Sequence, residues 1–375
     1  MGTYKIIFWA CIAFVVYAYF GYPVIIYLLS LIRHKKINKG NFEPSVTLLI
    51  PAYNEEKIIR EKILNCLGLD YSADKLQIVI ISDGSSDKTG PIVREYVAKG
   101  INLFEYQKHQ GKIIALNIAV PMTKGEIIVF SDASGMLDKN AIREMTANFN
   151  DPQVGCVSGF YKMIPENYSL TGSGYETYLG YDISIKKSES RFGNIIGAHG
   201  AFYAVRRELF EMLPADLVND DFYLPMKIIA KGFRAVYEEK AVVVDKIVYN
   251  LEEEFRRRVR IGFGNWQQIL KLRKFSDSFG GVITWQFFSH KVLRIFLPFF
   301  LISSFIISFF IPGEIYGIYA RFFLFFLLSA GIGGLFKMFR WRAEILYLPF
   351  YMVLGNIAYM IGTLSFFLGA KKVRW

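Results

Sequence analysis

The chain has 375 residues, of which 53% are hydrophobic and 17% are aromatic, with a formal net charge of +11. Soluble domains are about 45–50% apolar, so this composition argues against an ordinary soluble protein and makes membrane segments the first expectation. Three cysteines without regular spacing argue against a disulfide framework or a cysteine metal site. With membrane segments present, the basic balance favours anionic lipid headgroups and an anionic substrate as partners, and no nucleic acid.

Four apolar stretches are long enough to cross a bilayer. Residues 6–32 carry no charge, and a helix of this length spans about 40 Å, more than the roughly 30 Å of hydrocarbon. A signal peptide is the alternative, but the apolar run is too long and no small-residue cleavage site follows. The other stretches are residues 295–313, 315–336 (which contain Arg321) and 345–370.

The basic residues around these stretches predict an orientation. Lys5 alone precedes the first stretch, and four basic residues follow it: Arg33, Lys35, Lys36 and Lys39. The positive-inside rule then places the intervening domain in the cytoplasm. A second basic group, also inside on a four-span count, is Lys337, Arg340 and Arg342. The tail "KKVRW" conflicts with this count, so either one late segment is interfacial or the tail breaks the rule.

Strand and helix patterns alternate through the central region. "SVTLLIPAYNE" predicts a strand over residues 46–50 and a helix capped by Asn54, and "LQIVIISDGSSDKTG" predicts a strand over residues 78–82 and a helix from about Ser86. A helix in "GKIIALNIAV", a strand in "EIIVFSD" and a helix in "DKNAIREMTANF" follow. The near-continuous apolar strands predict a mostly parallel sheet that is covered on both faces.

Polar clusters end three of these strands: "YNE" at residues 53–55, "DGS" at 83–85 and "DAS" at 132–134. Ligands of open parallel sheets bind beyond the carboxyl ends of the strands, so we expect the clusters to share one rim. The region contains neither GxGxxG nor a complete Walker A motif. Carboxylates and a lysine without a glycine cradle favour a nucleoside diphosphate held partly through a divalent cation.

A family resemblance extends over residues 44–275. "PAYNE", "SDGSSDKT", "GKIIALN", "SDAS", "GAHGAFYAVRRELF", "NDDFYLP" and "EFRRRVRI" occur in this order. They resemble the membrane-integrated family 2 glycosyltransferases, the group of cellulose, hyaluronan and poly-N-acetylglucosamine synthases. The resemblance implies an α/β domain of the GT-A type, Rossmann-like and with a mostly parallel sheet, together with about four transmembrane helices.

The resemblance also implies a donor site. Ala52, Tyr53 and Glu55 match the nucleobase and ribose pocket, Asp83 matches the aspartate that contacts the uracil or ribose, and Lys112 matches a lysine that reaches the nucleotide. The structural alternatives are an exposed helix start for Tyr53 and Glu55 and a solvated first-turn lysine for Lys112. A cation near a helix N-terminus is disfavoured unless an anion lies there.

The expected metal site departs from the family pattern. Asp132 matches the first carboxylate of the DxD motif, and Ser134 takes the place of the second. Asp132 is therefore the expected ligand of Mg²⁺ or Mn²⁺, and Ser134 contributes at most a neutral oxygen. Its place in the predicted rim argues against the alternative that Asp132 is only a turn residue.

The motif "NDD" carries the expected catalytic acids. Asp221 matches the base and Asp220 is its neighbour. An ordinary Asp pKa of about 3.9 is low for a base, but crowding by a like charge raises it. The alternative is that both acids only stabilise a helix N-terminus. His199, in the glycine-containing strand entry between Gly197 and Gly200, is expected to be an acceptor contact, an added metal ligand or a structural histidine.

A basic amphipathic helix is predicted from Phe255, suited to the membrane interface. It overlaps the family's QxxRW segment, with Arg257 in the Gln position, Arg260 matching and Ile261 replacing Trp. The resemblance implies that Arg257 and Arg260 bind the donor diphosphate. Trp266 is the substitute candidate for holding an acceptor sugar, and its alternative role is an interface anchor.

The sequence thus predicts a processive inverting transferase that moves a sugar from a UDP-sugar to a growing extracellular or cell-surface polysaccharide. The alternatives are a single-sugar transferase acting on a lipid-linked acceptor and a non-catalytic scaffold for polysaccharide export. Other expected partners are the lipid bilayer and either an export protein or a second copy. The expected segments are an N-terminal span with a basic linker (1–40), the catalytic domain (41–254), interfacial helices (255–291) and a C-terminal membrane region (292–375).

Overall fold

A single sheet forms the centre of the protein in this computed structural model, which describes residues 2–165, 171–247, 251–339 and 344–370. Within those residues the sheet has eight strands. They are β1 Val46–Ala52, β2 Leu76–Asp83, β3 Ile101–Tyr106, β4 Ile127–Ser131, β5 Gly135–Leu137, β6 Val154–Pro165, β7 Phe202–Arg206 and β8 Arg234–Ile247.

The strand order is β3-β2-β1-β4-β7-β6-β8-β5. Strands β3, β2, β1 and β4 are mutually parallel, β7 runs antiparallel to both of its neighbours, β6 and β8 are parallel, and β5 is antiparallel to β8. β1, β2 and β4 are almost entirely buried, because apolar side chains on both of their faces pack against helices. The predicted mostly parallel sheet is confirmed.

The helices surround this sheet and continue into the apolar ends of the chain. In chain order they are α1 Gly2–Val16, α2 Tyr22–Ile32, α3 Ile59–Leu67, α4 Thr89–Arg94, α5 Lys112–Ala119, α6 Ala141–Thr146, α7 Thr171–Phe192, α8 Asp220–Ala230, α9 Leu251–Leu272, α10 Gly281–Phe287, α11 Leu293–Ser308, α12 Glu314–Met338 and α13 Glu344–Phe367. One π-helical turn joins α1 to α2 and another joins α10 to α11.

Two predicted helix starts are wrong. Helix α3 begins at Ile59 and not after Asn54, and helix α4 begins at Thr89 and not near Ser86. Asn54 has a positive φ of 56°, and its side-chain Oδ1 accepts a hydrogen bond from the backbone N–H of Ser86 at 2.8 Å. Asn54 therefore bonds to the loop after β2 across the rim and does not cap α3.

Four helical segments are long and apolar enough to cross a membrane within the residues described: Gly2–Ile32, Gly281–Ser308, Glu314–Met338 and Ile345–Phe367. The second segment begins at Gly281, before the predicted uncharged stretch 295–313. The prediction began late because His290, Lys291 and Arg294 precede that stretch. These polar side chains interrupt the hydropathy pattern but pack against the domain that contains the sheet. Arg340, Arg342 and the tail 371–375, used for the orientation, lie outside the described residues.

A buried polar cluster joins the domain to the membrane helices. Glu189 on α7 is fully buried. Its Oε1 lies 2.7 Å from Nδ1 of His290 and accepts a hydrogen bond from the Tyr22 hydroxyl, and its Oε2 accepts the Ile196 N–H at 3.0 Å. Because a buried carboxylate is costly unless paired, this cluster fixes how α2 and the segment Gly281–Ser308 meet the domain.

Candidate active site

The polar clusters after β1, β2 and β4 meet at one rim, as predicted, because the three strands are adjacent and parallel. The Asn54 N–H donates to Oγ of Ser85 at 3.2 Å, and the Glu55 N–H donates to Oγ1 of Thr89 at 2.8 Å. Ala52, the last residue of β1, is buried beneath them. The rim is therefore built on strand ends that the sheet holds in place.

Asp83 organises the loop that leads into α5. Its buried carboxylate accepts the backbone N–H groups of Gln110 at 3.0 Å and Gly111 at 2.7 Å, and it lies 3.0 Å from Nδ1 of His109. The ring of His109 stacks on Tyr53, with centroids 3.9 Å apart. Two stacked rings beside a carboxylate form a flat aromatic surface of the kind that bases bind by stacking.

Lys112 bridges acids from two parts of the site. Its Nζ lies 3.0 Å from Oδ1 of Asp132 and 3.7 Å from Oδ1 of Asp220. Burial of the ammonium opposes ionisation, but the attraction of Asp132 and Asp220 outweighs it and raises the Lys112 pKa. These two carboxylates are the anions that a lysine at the first position of a helix requires.

Asp221 lies at the start of α8, beside the strand entry to β7. Its backbone oxygen accepts the Ala198 N–H at 2.7 Å, and a Cβ on Gly200 would come within 2.8 Å of its carboxylate oxygen. Gly200 therefore makes room for this carboxylate. Burial and the negative charge of Asp220 raise the Asp221 pKa to about 6, which suits proton transfer near neutral pH. Asp220 itself accepts a hydrogen bond from the buried Tyr203 hydroxyl.

A cavity of about 130 Å³ opens in front of Asp221. Ile261, Asn265 and Gln268 from α9 form one wall, and Lys291 from the second membrane segment forms another. The side chain of Asp221 therefore faces a space at the junction of the domain with the membrane helices.

A second acidic group lies beside Asp132. Asp245, near the end of β8, accepts hydrogen bonds from Oγ of Ser134 at 3.2 Å and from the Tyr161 hydroxyl at 3.0 Å. Burial, with the nearby charges of Asp132, Asp87 and Asp245, raises the Glu55 pKa. The Asp245 pKa is also raised, first by burial. The charge of Asp132 thus contributes to raising the pKa of both Glu55 and Asp245.

The mostly parallel sheet agrees with the comparisons to known proteins. The profile of Glycosyl transferase family 2 matches residues 47–213. Residues 47–213 therefore form a family 2 glycosyltransferase domain. The poly-beta-1,6-N-acetyl-D-glucosamine synthase of Staphylococcus aureus is 28% identical over 251 residues, which are 64% of this chain and 59% of that protein. A probable glycosyltransferase of Bacillus subtilis, YdaM, is 27% identical over 61% of this chain and 57% of its own length.

These alignments cover less than two thirds of the curated relatives' length. Among solved structures, the mannosyltransferase PcManGT from Pyrobaculum calidifontis, in complex with GDP-Man and Mn²⁺, has a TM-score of 0.71 and 21% identity, and covers 97% of this chain and 99% of that chain. This likeness confirms the GT-A fold.

The acidic rim is the candidate metal site of this domain. The described residues contain no group of three or more His, Cys, Asp or Glu side chains arranged to hold an ion. Asp132, Ser134 and Asp245 nevertheless bring two carboxylates and a hydroxyl together, and oxygen donors suit Mg²⁺ and Mn²⁺. The donor set fits a divalent cation, with Lys112 as the present partner of Asp132.

Helix α9 of the glycosyltransferase is less basic than predicted, because it begins at Leu251 and includes Glu254. The carboxylate of Glu254 pairs with Nε of Arg257 and Nε of Arg258, each at 2.7 Å. Arg260 instead interacts electrostatically with Asp132, Asp220 and Asp221, although burial lowers its pKa to about 10. Of the two predicted arginines, Arg260 is therefore the one directed at the acidic site.

The two candidate acceptor residues lie in different surroundings. Trp266 packs against Phe296 and Phe367, with ring centroids 5.3 Å and 4.8 Å away, and donates its indole N–H to Thr363. This location between membrane helices favours the anchor alternative. His199 donates its backbone N–H to Ser158, and burial lowers its pKa to about 3. The imidazole is therefore neutral and packed inside the domain.

Several residues of the site were not predicted from sequence. Asp245 and Lys291 join it from distant elements, and neither has a local motif. Lys62 is fully buried under the rim and donates to Oγ of Ser131 at 2.8 Å and to the Gly135 carbonyl. Of these residues, only His109 could have been predicted from a local sequence motif, because it lies in a polar loop just before Gly111 and Lys112.

Proposed function

We propose that this protein catalyses inverting transfer of a sugar from a nucleoside diphosphate sugar, with UDP as the favoured nucleotide, to an acceptor at the membrane boundary. The observation that carries the proposal is the Asp221 carboxyl. Its pKa is raised to about 6, and it faces a cavity next to the Lys112, Asp132 and Asp220 group.

In the proposed step, an acceptor hydroxyl oxygen attacks the anomeric carbon of the donor sugar from the face opposite the diphosphate. The bond between that carbon and the diphosphate oxygen breaks, and its electron pair leaves with the diphosphate. Asp221 accepts the hydroxyl proton, which is the work of a general base. Asp220, held by Tyr203 and Lys112, keeps the Asp221 pKa raised and so acts as a positioning residue.

The donor would lie along the rim. Tyr53, Asp83 and the stacked His109 are proposed to bind the nucleobase and ribose, with Ala52 and Glu55 beside them. Lys112 and Arg260 provide cations for the diphosphate, and Arg257, paired with Glu254, completes the basic face. Asp132, Ser134 and Asp245 would hold Mg²⁺ or Mn²⁺, which supplies positive charge to the leaving diphosphate.

The catalytic domain is proposed to face the cytoplasm, where nucleotide sugars are made. Four basic residues follow the first span and support this orientation: Arg33, Lys35, Lys36 and Lys39. The proposed organisation keeps a membrane helix at the N-terminus, one catalytic domain and a C-terminal membrane region, with α9 lying between the last two. An export partner or a second copy remains part of this proposal.

Two acceptors are considered. A growing glycan follows from the family resemblance and from the 28% identical polysaccharide synthase. A single transfer to a lipid-linked acceptor is favoured by the placement of Trp266 between membrane helices and by the position of the cavity at the domain–membrane junction. Both acceptors use the same donor site and base.

The test is direct. The purified full chain in detergent is given a panel of UDP- and GDP-sugars with Mg²⁺ or Mn²⁺, together with membrane lipid extracts as acceptor. Nucleotide release, product length and anomeric configuration are measured. The proposal expects one preferred donor and an inverted product. A product that retains the donor's anomeric configuration, or no release with any donor, would refute it.

A further inference from the structure

The cavity in front of Asp221 contains a cation that the proposed chemistry does not use. Lys291 lines this cavity and lies in the membrane segment Gly281–Ser308. Its Nζ sits 5.4 Å from the centre of the Phe222 ring, and it makes no ion pair within 4.0 Å to a carboxylate in the described part of the chain. A half-buried ammonium at this position is costly unless an anion accompanies it.

Asp221 is the acid that lines the same cavity as Lys291, and the two other carboxylates near Lys291 are engaged by other groups. Asp182 lies 3.5 Å from Nε2 of His290, 3.7 Å from Nη1 of Arg294 and 3.9 Å from Nζ of Lys186. Glu189 is held by His290 and Tyr22. Asp182 and Glu189 are therefore held by Lys186, His290, Arg294 and Tyr22, and neither forms an ion pair with Lys291 within 4.0 Å in the described part of the chain.

Apart from Asp221 and Lys291, the side chains that line the cavity are neutral, some polar and some apolar. Asn265 and Gln268 line it from α9, and Gln268 donates to the backbone oxygen of Asn219. Ile261 and Phe222 give it apolar surface. Polar amides and an ammonium beside apolar side chains suit a group that is anionic and attached to a hydrophobic chain.

We propose that Lys291 binds a phosphate of a lipid-linked acceptor, placing the acceptor's sugar hydroxyl at Asp221. The proposal rests on the proposed function and deepens it, since it names the acceptor class: a sugar joined through phosphate to a membrane lipid. The Lys291 ammonium, on the segment Gly281–Ser308, then lies on the bilayer side of the cavity, where the phosphate of such a lipid would lie. The reacting oxygen is the sugar hydroxyl, and the phosphate only positions it.

Binding can be tested without turnover. The full-length protein in a nonionic detergent is titrated with farnesyl phosphate, farnesol and inorganic phosphate, and binding is followed by the shift in melting temperature. We expect farnesyl phosphate to bind at least tenfold more tightly than farnesol. Replacing Lys291 by Gln should weaken farnesyl phosphate binding by about tenfold to hundredfold, the usual worth of a charged hydrogen bond. Lys291→Arg should retain most of it.

Lys187→Gln is the matched control, because Lys187 is also a half-buried lysine but pairs with Glu239 at 2.8 Å, outside the cavity. It should bind farnesyl phosphate like the wild type. Equal binding of farnesol and farnesyl phosphate by the wild type would overturn the proposal, and this comparison needs no variant to fold. Binding by Lys291→Gln within twofold of the wild type would overturn it as well. Inorganic phosphate binding as tightly as farnesyl phosphate would contradict the lipid source.

The two proposals fail separately. If the nucleotide-sugar panel yields transfer but farnesyl phosphate binding does not depend on Lys291, only the acceptor assignment is lost. If farnesyl phosphate binds through Lys291 but no donor is consumed, the proposed function fails and the phosphate site stands.

Discussion

Ser134 Oγ lies 3.2 Å from Oδ2 of Asp245, so the last strand of the domain brings a carboxylate to the position where the "SDAS" motif lacks one. Gly135 pairs directly with Asp245 in the antiparallel β5–β8 ladder. The ladder therefore fixes this carboxylate beside Asp132. In the proposed metal site, a residue from a distant strand therefore supplies the second carboxylate.

Asp245→Asn should weaken Mn²⁺ binding by about tenfold to hundredfold, since a neutral amide replaces one of two carboxylates at the proposed site. Mn²⁺ affinity is measured by electron paramagnetic resonance on the purified protein with UDP present. Glu211→Gln is the control, because Glu211 pairs with Lys227 and Lys231 on another surface. Affinity of Asp245→Asn within twofold of the wild type would remove Asp245 from the metal site.

The sequence predicted the parts of the site that lie on one strand end or one helix start. Asp83, Asp132 and Asp221 fall in local motifs that end or begin an element, and the parallel order of β2, β1 and β4 brings the first two together. Asn54 was placed wrongly, because the same side chain that caps a helix can also bond across a rim, and only the tertiary structure decides between them.

Residues whose role depends on long-range pairing could not be predicted. Asp245 meets Ser134 only through the β5–β8 ladder. His290 and Arg294 interrupted an apolar stretch and hid the beginning of a membrane segment, since their partners Glu189 and Asp182 lie on α7. A charged residue lowers the mean hydropathy of a sequence window whether or not its charge is paired in the structure. Hydropathy alone therefore cannot detect such a junction.

The rate of transfer should fall on the acid side with an apparent pKa of about 6, because Asp221 must be ionised to accept a proton and its pKa is raised to about 6 by burial and Asp220. Asp220→Asn removes the neighbouring negative charge, so the Asp221 pKa falls and the acid limb moves to lower pH. The pH dependence of kcat is measured for both proteins, with Asp216→Asn, an acid that pairs with Lys271, as control. An acid limb that stays in place or moves upward in Asp220→Asn contradicts this coupling.

Glu189→Ala should destabilise the protein by about 3–5 kcal/mol, because several buried groups lose their acceptor and each unsatisfied one costs about 1–3 kcal/mol. The affected groups are His290 at 2.7 Å and Tyr22. Melting temperature in detergent is the readout, and it should fall by several degrees. Glu239→Ala, which breaks the exposed pair with Lys187, should cost at most about 1 kcal/mol. Equal melting temperatures for the two variants would show that the junction does not depend on the buried cluster.

Trp266→Ala should lower the melting temperature and leave product length unchanged, because the indole packs on Phe296 and Phe367 and bonds to Thr363. Product size is measured by gel filtration after equal donor consumption. Phe296→Leu, which alters the same packing without touching the indole hydrogen bond, is the control. Products that become shorter only in Trp266→Ala would restore the predicted acceptor role of this residue.

The central claim is that Asp221 is the base of an inverting transfer, and the single-site variant Asp221→Asn tests it most directly. Turnover with the preferred donor is measured at pH 7.5, and donor affinity is measured separately by titration. The account predicts a loss of turnover of about 10²–10⁴-fold, the usual contribution of general base catalysis, with donor affinity nearly unchanged. Turnover within threefold of the wild type would contradict it.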